Sequence, residues 1–311
     1  MPTALTIVMY HYIRDFSRTR YPGIKGLDVG GFRRQLDYLE QAYNIVRMEE
    51  VMAALFGDVD LPPDAALLTF DDGYREHFDT AFPILHDRGL QGSFFPPVAP
   101  VRDGALLNVN RVHFILASVA SAASLGAAVD DAVRAADDPD VGSVEAYRAE
   151  WAHSSRFDDA ETIYVKRMLQ TALPPAMREA VARELFDRFV GVDEATFAAE
   201  QYMNEDQARL MVDCGMFFGS HGRSHFWLDQ VDQPTREHEI KGSLAFLADI
   251  GMPVDEGWVM CYPFGGWDQQ LVETLRQHRC TVGLTTRVGV AQIGVDDPLT
   301  LPRFDTNDFP R

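Results

Sequence analysis

The chain has 311 residues, of which 46% are hydrophobic, 11% aromatic and 24% charged. This composition is typical of a folded globular protein and excludes disorder, collagen and coiled coil. Acidic residues outnumber lysine and arginine by 47 to 28, for a net charge of −19. Such a surface repels phosphate backbones, so nucleic acid is not an expected partner. The length allows two domains, or one barrel-sized domain with an insertion.

The cysteines and the N-terminal sequence bear on the compartment. Cys214, Cys261 and Cys280 are widely spaced among apolar neighbours, which favours reduced thiols over a disulfide framework. The N-terminal apolar stretch has no basic segment before it and breaks at His11, unlike a signal peptide. No run approaches the ~18 apolar residues that a membrane span needs. We expect a cytoplasmic protein without a membrane span, and a homo-oligomer is compatible with these features.

Short apolar runs that end in polar or glycine-containing turns predict strands. These runs are Ala4–Met9, Ala65–Phe70, Gly92–Phe95, Met216–Gly219, Trp258–Tyr262, Thr281–Thr285 and Leu299–Leu301. Helical spacing of apolar residues follows several of them, as in Tyr74–Arg88 and Asp268–His278. Strands that alternate with helices predict an α/β fold with a parallel sheet, and this number of strands favours a barrel.

The middle of the chain has a different pattern. Residues 103–200 carry little strand signal and much alanine. Their amphipathic stretches include Val112–Ala120, Val165–Leu173 and Met177–Phe189. We therefore predict a barrel formed by residues 1–102 and 203–311, with a helical insertion at residues 103–202. The insertion is expected either to limit which substrates enter the barrel mouth or to mediate oligomer contacts.

Two adjacent carboxylates close the second predicted strand, in the sequence Thr-Phe-Asp-Asp-Gly at Thr69–Gly73. Alternate residues of a strand point to opposite sides, so Asp71 and Asp72 can take different roles. One can bind a metal while the other serves as a general base. Like charges this close need a cation or a proton to coexist, which favours a metal. Taken alone, the motif is also an ordinary turn sequence.

A pair of histidines follows the fourth predicted strand. His221 and His225 are four residues apart, a spacing that would place them on one face of a helical turn where they can share a metal. Two histidines and one aspartate leave positions open for water and substrate, as in catalytic metal sites. Taken alone, the pair is equally consistent with surface histidines that bind nothing.

Together the two motifs resemble those of the polysaccharide deacetylase family, also called the NodB-homology family or carbohydrate esterase family 4. Thr69–Gly73 matches the family's first motif letter for letter. His221 and His225 match its metal-binding pair in spacing, with Gly222 where serine or threonine is usual. The resemblance implies a distorted (β/α) barrel of the NodB-homology type, here with a helical insertion. It also implies a metal-dependent enzyme that removes an N-acetyl or other N-acyl group from an amino sugar or saccharide.

The resemblance also implies roles for these residues. Asp72, His221 and His225 would hold a divalent metal, for which zinc is the expected ion and Co²⁺, Ni²⁺, Fe²⁺ and Mn²⁺ are alternatives. Asp71 would be the catalytic base. The resemblance covers roughly residues 4–100 and 203–305.

Two features depart from the family pattern. The family's Arg-x-Pro-Tyr/Phe motif corresponds to Cys261–Phe264, so Cys261 stands where an arginine that orients the base is expected. Arg303, after the last predicted strand, is a candidate to supply that guanidinium, and an ordinary surface arginine is the alternative. The family's late Leu-x-His motif, which contributes the general acid, is absent. The sequence Met-Tyr-His that ends at His11 resembles a branch whose acid comes from the N-terminal strand, so His11 is the predicted acid.

Five residues near these motifs are the predicted substrate-binding residues. They are Tyr262, Pro263, Phe264, Trp267 and Arg303. Aromatic faces at a barrel mouth suit stacking on a sugar ring, although packing of the barrel rim explains them equally well. Two alternative functions stay open: hydrolysis of a non-sugar amide or formamide on the same fold, and a catalytically dead carbohydrate-binding relative. Retention of both Asp71 and Asp72 argues against the second.

Overall fold

The computed structural model describes residues 3–57 and 59–310. Residues 1, 2, 58 and 311 belong to the predicted barrel ranges and lie outside the described residues. The chain divides into two compact units. One unit comprises the described parts of Met1–Asp15, Gly26–Ala105 and Ala198–Arg311, and the other comprises Phe16–Lys25 and Leu106–Phe197.

Strands and helices alternate over most of the chain. The strands are β1 (Thr3–Tyr10), β2 (Ile13–Arg14), β3 (Leu27–Asp28), β4 (Asn44–Ile45), β5 (Ala65–Asp71), β6 (Ser93–Phe95), β7 (Phe217–Phe218), β8 (Trp258–Cys261), β9 (Cys280–Leu284), β10 (Ala291–Ile293) and β11 (Phe304–Asp305). The helices are α1 (Val29–Ala42), α2 (Met48–Phe56), α3 (Phe82–Asp87), α4 (Val98–Asp103), α5 (Asn108–Ala117), α6 (Ala123–Ala135), α7 (Val144–Trp151), α8 (Ala160–Arg167), α9 (Pro175–Phe189), α10 (Glu194–Gln201), α11 (Glu205–Asp213), α12 (Gln233–Asp249) and α13 (Gln269–Gln277). A π-helical turn, His77–Ala81, precedes α3, and another, Met168–Ala172, follows α8.

The first unit contains a closed ring of parallel strands. β1, β5, β6 and β7 lie side by side in that order. A parallel bridge between Ser220 and Met260 leads from β7 to β8, which pairs with β9. A bridge between Leu284 and Leu301 then leads to β11, which pairs with β1 and closes the ring. β10 runs antiparallel to β1 on the same sheet. The predicted α/β barrel is therefore present.

The sequence of β5 shows how the ring is packed. All seven of its residues are buried, as expected for a parallel strand that is covered on both faces. Leu67 belongs to a cluster with side chains from strands all around the ring, and this cluster is the barrel interior. Leu68 and Phe70 pack outward with helical residues. Because side chains alternate along a strand, Asp71 lies on the same inner face as Leu67.

Six of the seven predicted strands are present, with ends shifted by at most one residue. The predicted strand Leu299–Leu301 is wrong, because Pro298–Thr300 form a single 3₁₀ turn and only Leu301 bridges to β9. The carboxylate of Asp297 accepts a hydrogen bond from the backbone N–H of Leu299. This cap favours a turn over an extended strand at this point.

The predicted helical segment is helical. The second unit includes α5 to α9, and there the rings of Phe114 and Phe186 both pack edge-to-face on Phe197, with centroids 4.7 and 5.2 Å away. Whether this segment selects substrates or mediates oligomer contacts stays a prediction. Among the described residues, no helix combines the length and apolar character needed to cross a membrane.

Candidate active site

The predicted polar residues meet at one end of the barrel, where the parallel strands have their carboxyl ends. His11 follows β1, and Asp71 ends β5. His221 comes shortly after β7, and Arg303 immediately precedes β11. Carboxyl ends of barrel strands are where loops assemble catalytic groups in this kind of architecture.

Asp71 is held by a buried arginine. Nη1 of Arg303 donates to Oδ1 of Asp71 at 2.9 Å, and Nη2 donates to Oδ2 at 2.8 Å. Nε of Arg303 donates to the carbonyl oxygen of Thr285, which fixes the direction of the guanidinium. Burial raises the pKa of Asp71, but the charge and hydrogen bonds of Arg303 outweigh burial and lower that pKa to about 2. Asp71 is therefore ionised at neutral pH.

Asp72, His221 and His225 converge on one point. Oδ1 of Asp72 lies 3.5 Å from Nε2 of His221 and 3.2 Å from Nε2 of His225, and all three side chains are buried. This Oδ1 accepts no hydrogen bond from any residue that the structure describes, and an unsatisfied buried polar atom costs about 1–3 kcal/mol. A tetrahedral metal with bonds of ~2.0–2.1 Å needs ligand atoms roughly 3.3–3.4 Å apart. The three atoms therefore fit a divalent metal.

Neighbouring groups orient these side chains. Nδ1 of His221 lies 2.7 Å from the carbonyl oxygen of Cys261. Because a carbonyl oxygen only accepts, Nδ1 carries a proton, which leaves Nε2, on the side of Asp72, as the ring nitrogen that can bind a metal. The hydroxyl of Tyr74 donates to Oδ2 of Asp72 at 2.5 Å, which leaves Oδ1 for a metal. Sequence reasoning missed Tyr74, whose only signal was its place directly after Gly73.

The expectation that His221 and His225 share a helical turn is wrong. Residues 221–225 form a loop in which Gly222 and His225 both have positive φ, of 71° and 57°. Positive φ is uncommon for a residue other than glycine and marks a backbone held by its surroundings. The two imidazoles reach the same point through this loop, and not through helical periodicity.

A buried glutamate on α12 holds that loop. Oε2 of Glu239 accepts hydrogen bonds from the backbone N–H groups of Arg223 at 2.8 Å and Ser224 at 2.7 Å. These N–H groups are thus satisfied by a carboxylate instead of by helical carbonyls. A Cβ at Gly222 would lie 3.1 Å from the same Oε2, so the close approach of Glu239 and the positive φ both favour glycine at this position. Sequence reasoning missed Glu239, which lies outside the motif that it supports, on the helix that follows it.

His11 occupies the more open side of the site. Its Nε2 lies 3.9 Å from Oδ2 of Asp71, and its side chain is 39% exposed, against 2% for Asp71. This separation exceeds a hydrogen bond. The backbone carbonyl oxygen of His11 lies 2.7 Å from Nε2 of His77. The structure thus brings the predicted acid and the predicted base together.

A second group of metal-ligating residues shares His221. Asp71, His221 and Cys261 also offer ligand atoms within 4.8 Å of one another. Both oxygens of Asp71 are already bound by Arg303. Burial raises the pKa of the Cys261 thiol, whereas metal ligation requires the thiolate. This group therefore fits a cation less well than Asp72 and the two histidines.

Aromatic side chains border the histidines. The ring of Phe264 packs edge-to-face on His225 with centroids 4.5 Å apart. The ring of Trp227, which sequence reasoning missed, stacks parallel to Phe264 at 4.6 Å. Trp267 is 40% exposed. Of the predicted substrate-binding residues, Phe264 therefore contacts a metal-ligating histidine, and Trp267 is an exposed aromatic side chain close to it in sequence.

The other predicted substrate-binding residues lie deeper. Tyr262 is fully buried, and its hydroxyl donates to the carbonyl oxygen of Leu299 at 2.8 Å. Pro263 is also buried, at the start of the turn that presents Phe264. Arg303 is only 1% exposed and faces Asp71. These three side chains are therefore buried and offer little surface to a substrate.

The sequence of the site region matches a known family. The family model described as polysaccharide deacetylase matches residues 189–283, which include both histidines and the Cys261–Trp267 stretch. YxkH of Bacillus subtilis (strain 168), provisionally named a polysaccharide deacetylase, is 28% identical over 95 residues. That match covers 30% of this chain and 32% of the relative, so the chain spans about a third of the length of this curated protein. The chain therefore resembles the polysaccharide deacetylases, as its motifs predict.

Solved structures extend the likeness to nearly the whole chain. The Streptococcus pyogenes deacetylase PplD, in complex with acetate, has a TM-score of 0.61 at 15% identity, covering 98% of this chain and 93% of that one. The polysaccharide deacetylase BC0361 from Bacillus cereus has a TM-score of 0.57 at 18% identity, covering 98% and 65%. IcaB from Ammonifex degensii has a TM-score of 0.54 at 18% identity, covering 97% and 91%. These matches confirm the predicted fold.

Proposed function

We propose that the protein is a metal-dependent hydrolase that removes an N-acetyl or other N-acyl group from an amino sugar or saccharide. The observation that carries this proposal is the unpaired Oδ1 of Asp72, which faces Nε2 of His221 and of His225. The arginine-held carboxylate of Asp71 stands beside them. The likeness to deacetylases supports the same class of reaction. The products would be a carboxylic acid, acetate in the simplest case, and a free amino sugar.

Asp72, His221 and His225 would hold the divalent metal. When bound, the metal supplies Lewis acidity, which lowers the pKa of water and polarises the acyl carbonyl. Two imidazole nitrogens and one carboxylate oxygen suit zinc, and Co²⁺, Ni²⁺, Fe²⁺ and Mn²⁺ accept the same donors. Zinc and a cytoplasmic location both stay predictions.

Asp71 and His11 would move the protons. Asp71 is ionised at neutral pH and accepts a proton from the water that attacks the acyl carbon. His11, which is the more exposed of the two, donates a proton to the nitrogen as the C–N bond breaks. The water oxygen ends in the carboxylic acid, and the amine departs neutral. One proton is taken up and one is given, so the pair needs no other acid or base.

Arg303 would position Asp71 without touching the substrate. It is buried, and its guanidinium donates one hydrogen bond to each oxygen of the carboxylate. It therefore supplies the guanidinium expected where Cys261 stands, from a different strand end. Phe264 and Trp267 would contact the sugar, because the ring of Phe264 packs against a metal-ligating histidine and Trp267, three residues further along, is an exposed aromatic side chain.

A non-sugar amide or formamide is the alternative substrate class. The described catalytic groups act on the acyl carbon and the leaving nitrogen, and both are the same in a sugar amide and in a small amide. A catalytically dead binding protein is disfavoured, because binding alone gives no reason to keep Asp71 charged and aligned by Arg303 inside a barrel.

Product analysis tests the proposal. Metal-loaded protein would be incubated with N-acetyl and N-formyl amino sugars, their oligomers and small amides, and the released acid measured. We expect release from N-acyl saccharides, loss of it in Asp71→Asn, and retention in Asp79→Asn, which changes an exposed carboxylate beyond the motif. Release from small amides alone would favour the alternative class. No release from any substrate by fully metal-loaded protein would contradict a hydrolase.

A further inference from the structure

We propose that His77 is a positioning residue that sets the orientation of His11, an inference that rests on the proposed role of His11 as the acid. His77 begins the π-helical turn that precedes α3, and its side chain is fully buried. Its Nε2 lies 2.7 Å from the backbone carbonyl oxygen of His11. Because that oxygen only accepts, Nε2 carries the proton and donates.

The unpaired side of the His77 ring argues for a specific role. Nδ1 is buried and makes no hydrogen bond to any described residue. Burial lowers the pKa of His77 to about 4, so the ring is neutral at pH 7 with Nδ1 as a bare acceptor. A buried acceptor without a partner is costly. An apolar side chain would fill the same space without that cost, so packing alone does not account for histidine here.

A second contact holds the segment that carries His11. The next residue, Tyr12, stacks on Tyr74 with ring centroids 4.0 Å apart and planes 19° from parallel. The ring of Tyr74 also packs edge-to-face on His77 at 5.4 Å. The Tyr74 hydroxyl donates to Oδ2 of Asp72. The short stretch from Tyr74 to His77 therefore contacts both the metal-ligating carboxylate and the backbone of the proposed acid.

The function of this contact is geometric. His11 is partly exposed, and its imidazole lies 3.9 Å from Asp71, beyond hydrogen-bond distance, so its direction depends on how its backbone is held. Misplacing a catalytic group by ~1 Å costs on the order of 10²-fold in rate. Turns of π-helix inside helical segments frequently occur at functional sites, and this one begins at His77.

The test compares His77→Leu, which removes the donor at similar volume, with His77→Gln, whose amide nitrogen can still donate. We expect His77→Leu to slow hydrolysis of an N-acetyl amine by roughly 10–100-fold. Its metal content should be unchanged, and an activated ester, whose leaving group needs no proton, should lose much less. His77→Gln should restore most of the amide rate. His86→Leu, an exposed histidine on α3, is the matched control and should behave like wild type. His77→Met replaces the leucine variant if that one does not fold.

Two further measurements separate this inference from the proposed function. In a His11→Ala background, His77→Leu should cause no additional loss, because it acts through His11. An equal loss with and without His11, or equal losses on amide and ester, would overturn the positioning role. The ¹³C resonance of the His11 carbonyl should shift in His77→Leu and remain in place in His77→Gln. This measurement does not depend on activity, so an unshifted resonance would overturn the inference. A shifted resonance, together with an unchanged amide rate in His11→Ala, would refute only the role of His11 as the acid.

Discussion

Replacing Arg303 by methionine tests how Asp71 is kept ready to accept a proton. The guanidinium makes two hydrogen bonds to the carboxylate, and neither side chain is more than 2% exposed. Methionine removes the charge and both donors while filling part of the space. The variant therefore leaves a buried carboxylate without its cation. Losing one partner of a buried ion pair costs about 3–5 kcal/mol.

The pKa of Asp71 gives a second measure of the same interaction. That pKa lies at about 2 instead of 3.8, which corresponds to about 2 kcal/mol in favour of the charged form after the opposing effect of burial. Because the folded pKa is the lower one, the stabilisation is complete above pH ~4 and is lost as the pH falls towards ~2. Without Arg303, the largest effect that lowers this pKa is lost, while the weaker charges of His11 and His221 still oppose burial, so the pKa should rise.

The assay is the pH dependence of kcat/KM from about pH 4 to 9, with metal content measured for each variant. Arg303→Met should lose rate mainly at acidic pH, with an acid limb at higher pH than in wild type. Arg303→Lys, which keeps the charge but not the two-pronged contact, should lie between the two. Arg287→Met, an exposed arginine near the same strand end, is the control. If Arg303→Met holds its full metal content and its kcat/KM falls at acidic pH over the same range as in wild type, Arg303 does not set the pKa of Asp71.

Four other changes test the remaining parts of the site. Asp71→Asn should keep the metal and lose activity by on the order of 10²–10⁴-fold, as measured by released acetate; loss of metal would make Asp71 a ligand instead. His11→Ala should slow amides far more than activated esters in paired rate measurements, and equal losses would assign His11 another role. Glu239→Ala leaves two backbone N–H groups of the loop 221–225 without their acceptor and should weaken metal affinity by roughly 10–100-fold in a competition titration. Glu239→Gln keeps an oxygen that can accept and should weaken the affinity less. Trp267→Ala should raise KM for a saccharide with little change in kcat, and an unchanged KM would remove Trp267 from the binding surface.

Much of the barrel could be predicted from local sequence. A short, largely apolar run such as Ala65–Phe70 is typical of a strand that is covered on both faces. The carboxyl ends of such strands gather at one end of a barrel. For this reason His11 and Asp71, which are far apart in sequence, are found together. The failed strand at Leu299–Leu301 shows the limit, because a single carboxylate cap redirects a run whose composition favours extension.

The supporting contacts of the site could not be read from the sequence. The spacing of His221 and His225 predicts a shared face only if the backbone is helical, and the positive φ of His225 is set by tertiary contacts. Glu239 accepts hydrogen bonds from backbone N–H groups, and because every residue except proline has one, the sequence does not show which of them it contacts. Arg303 was a candidate because a guanidinium was missing, yet only the three-dimensional structure shows its two-pronged contact with Asp71.

Metal content tests the central claim most directly. Purified protein, stripped with a chelator and reloaded with Zn²⁺, would be measured by elemental analysis beside Asp72→Ala and His225→Ala. We expect close to one tightly held ion per chain in wild type and a large loss in both variants, while Cys261→Ser, which alters the second candidate group, keeps the ion. Full occupancy in Asp72→Ala and His225→Ala, or loss of the ion only in Cys261→Ser, would contradict the account.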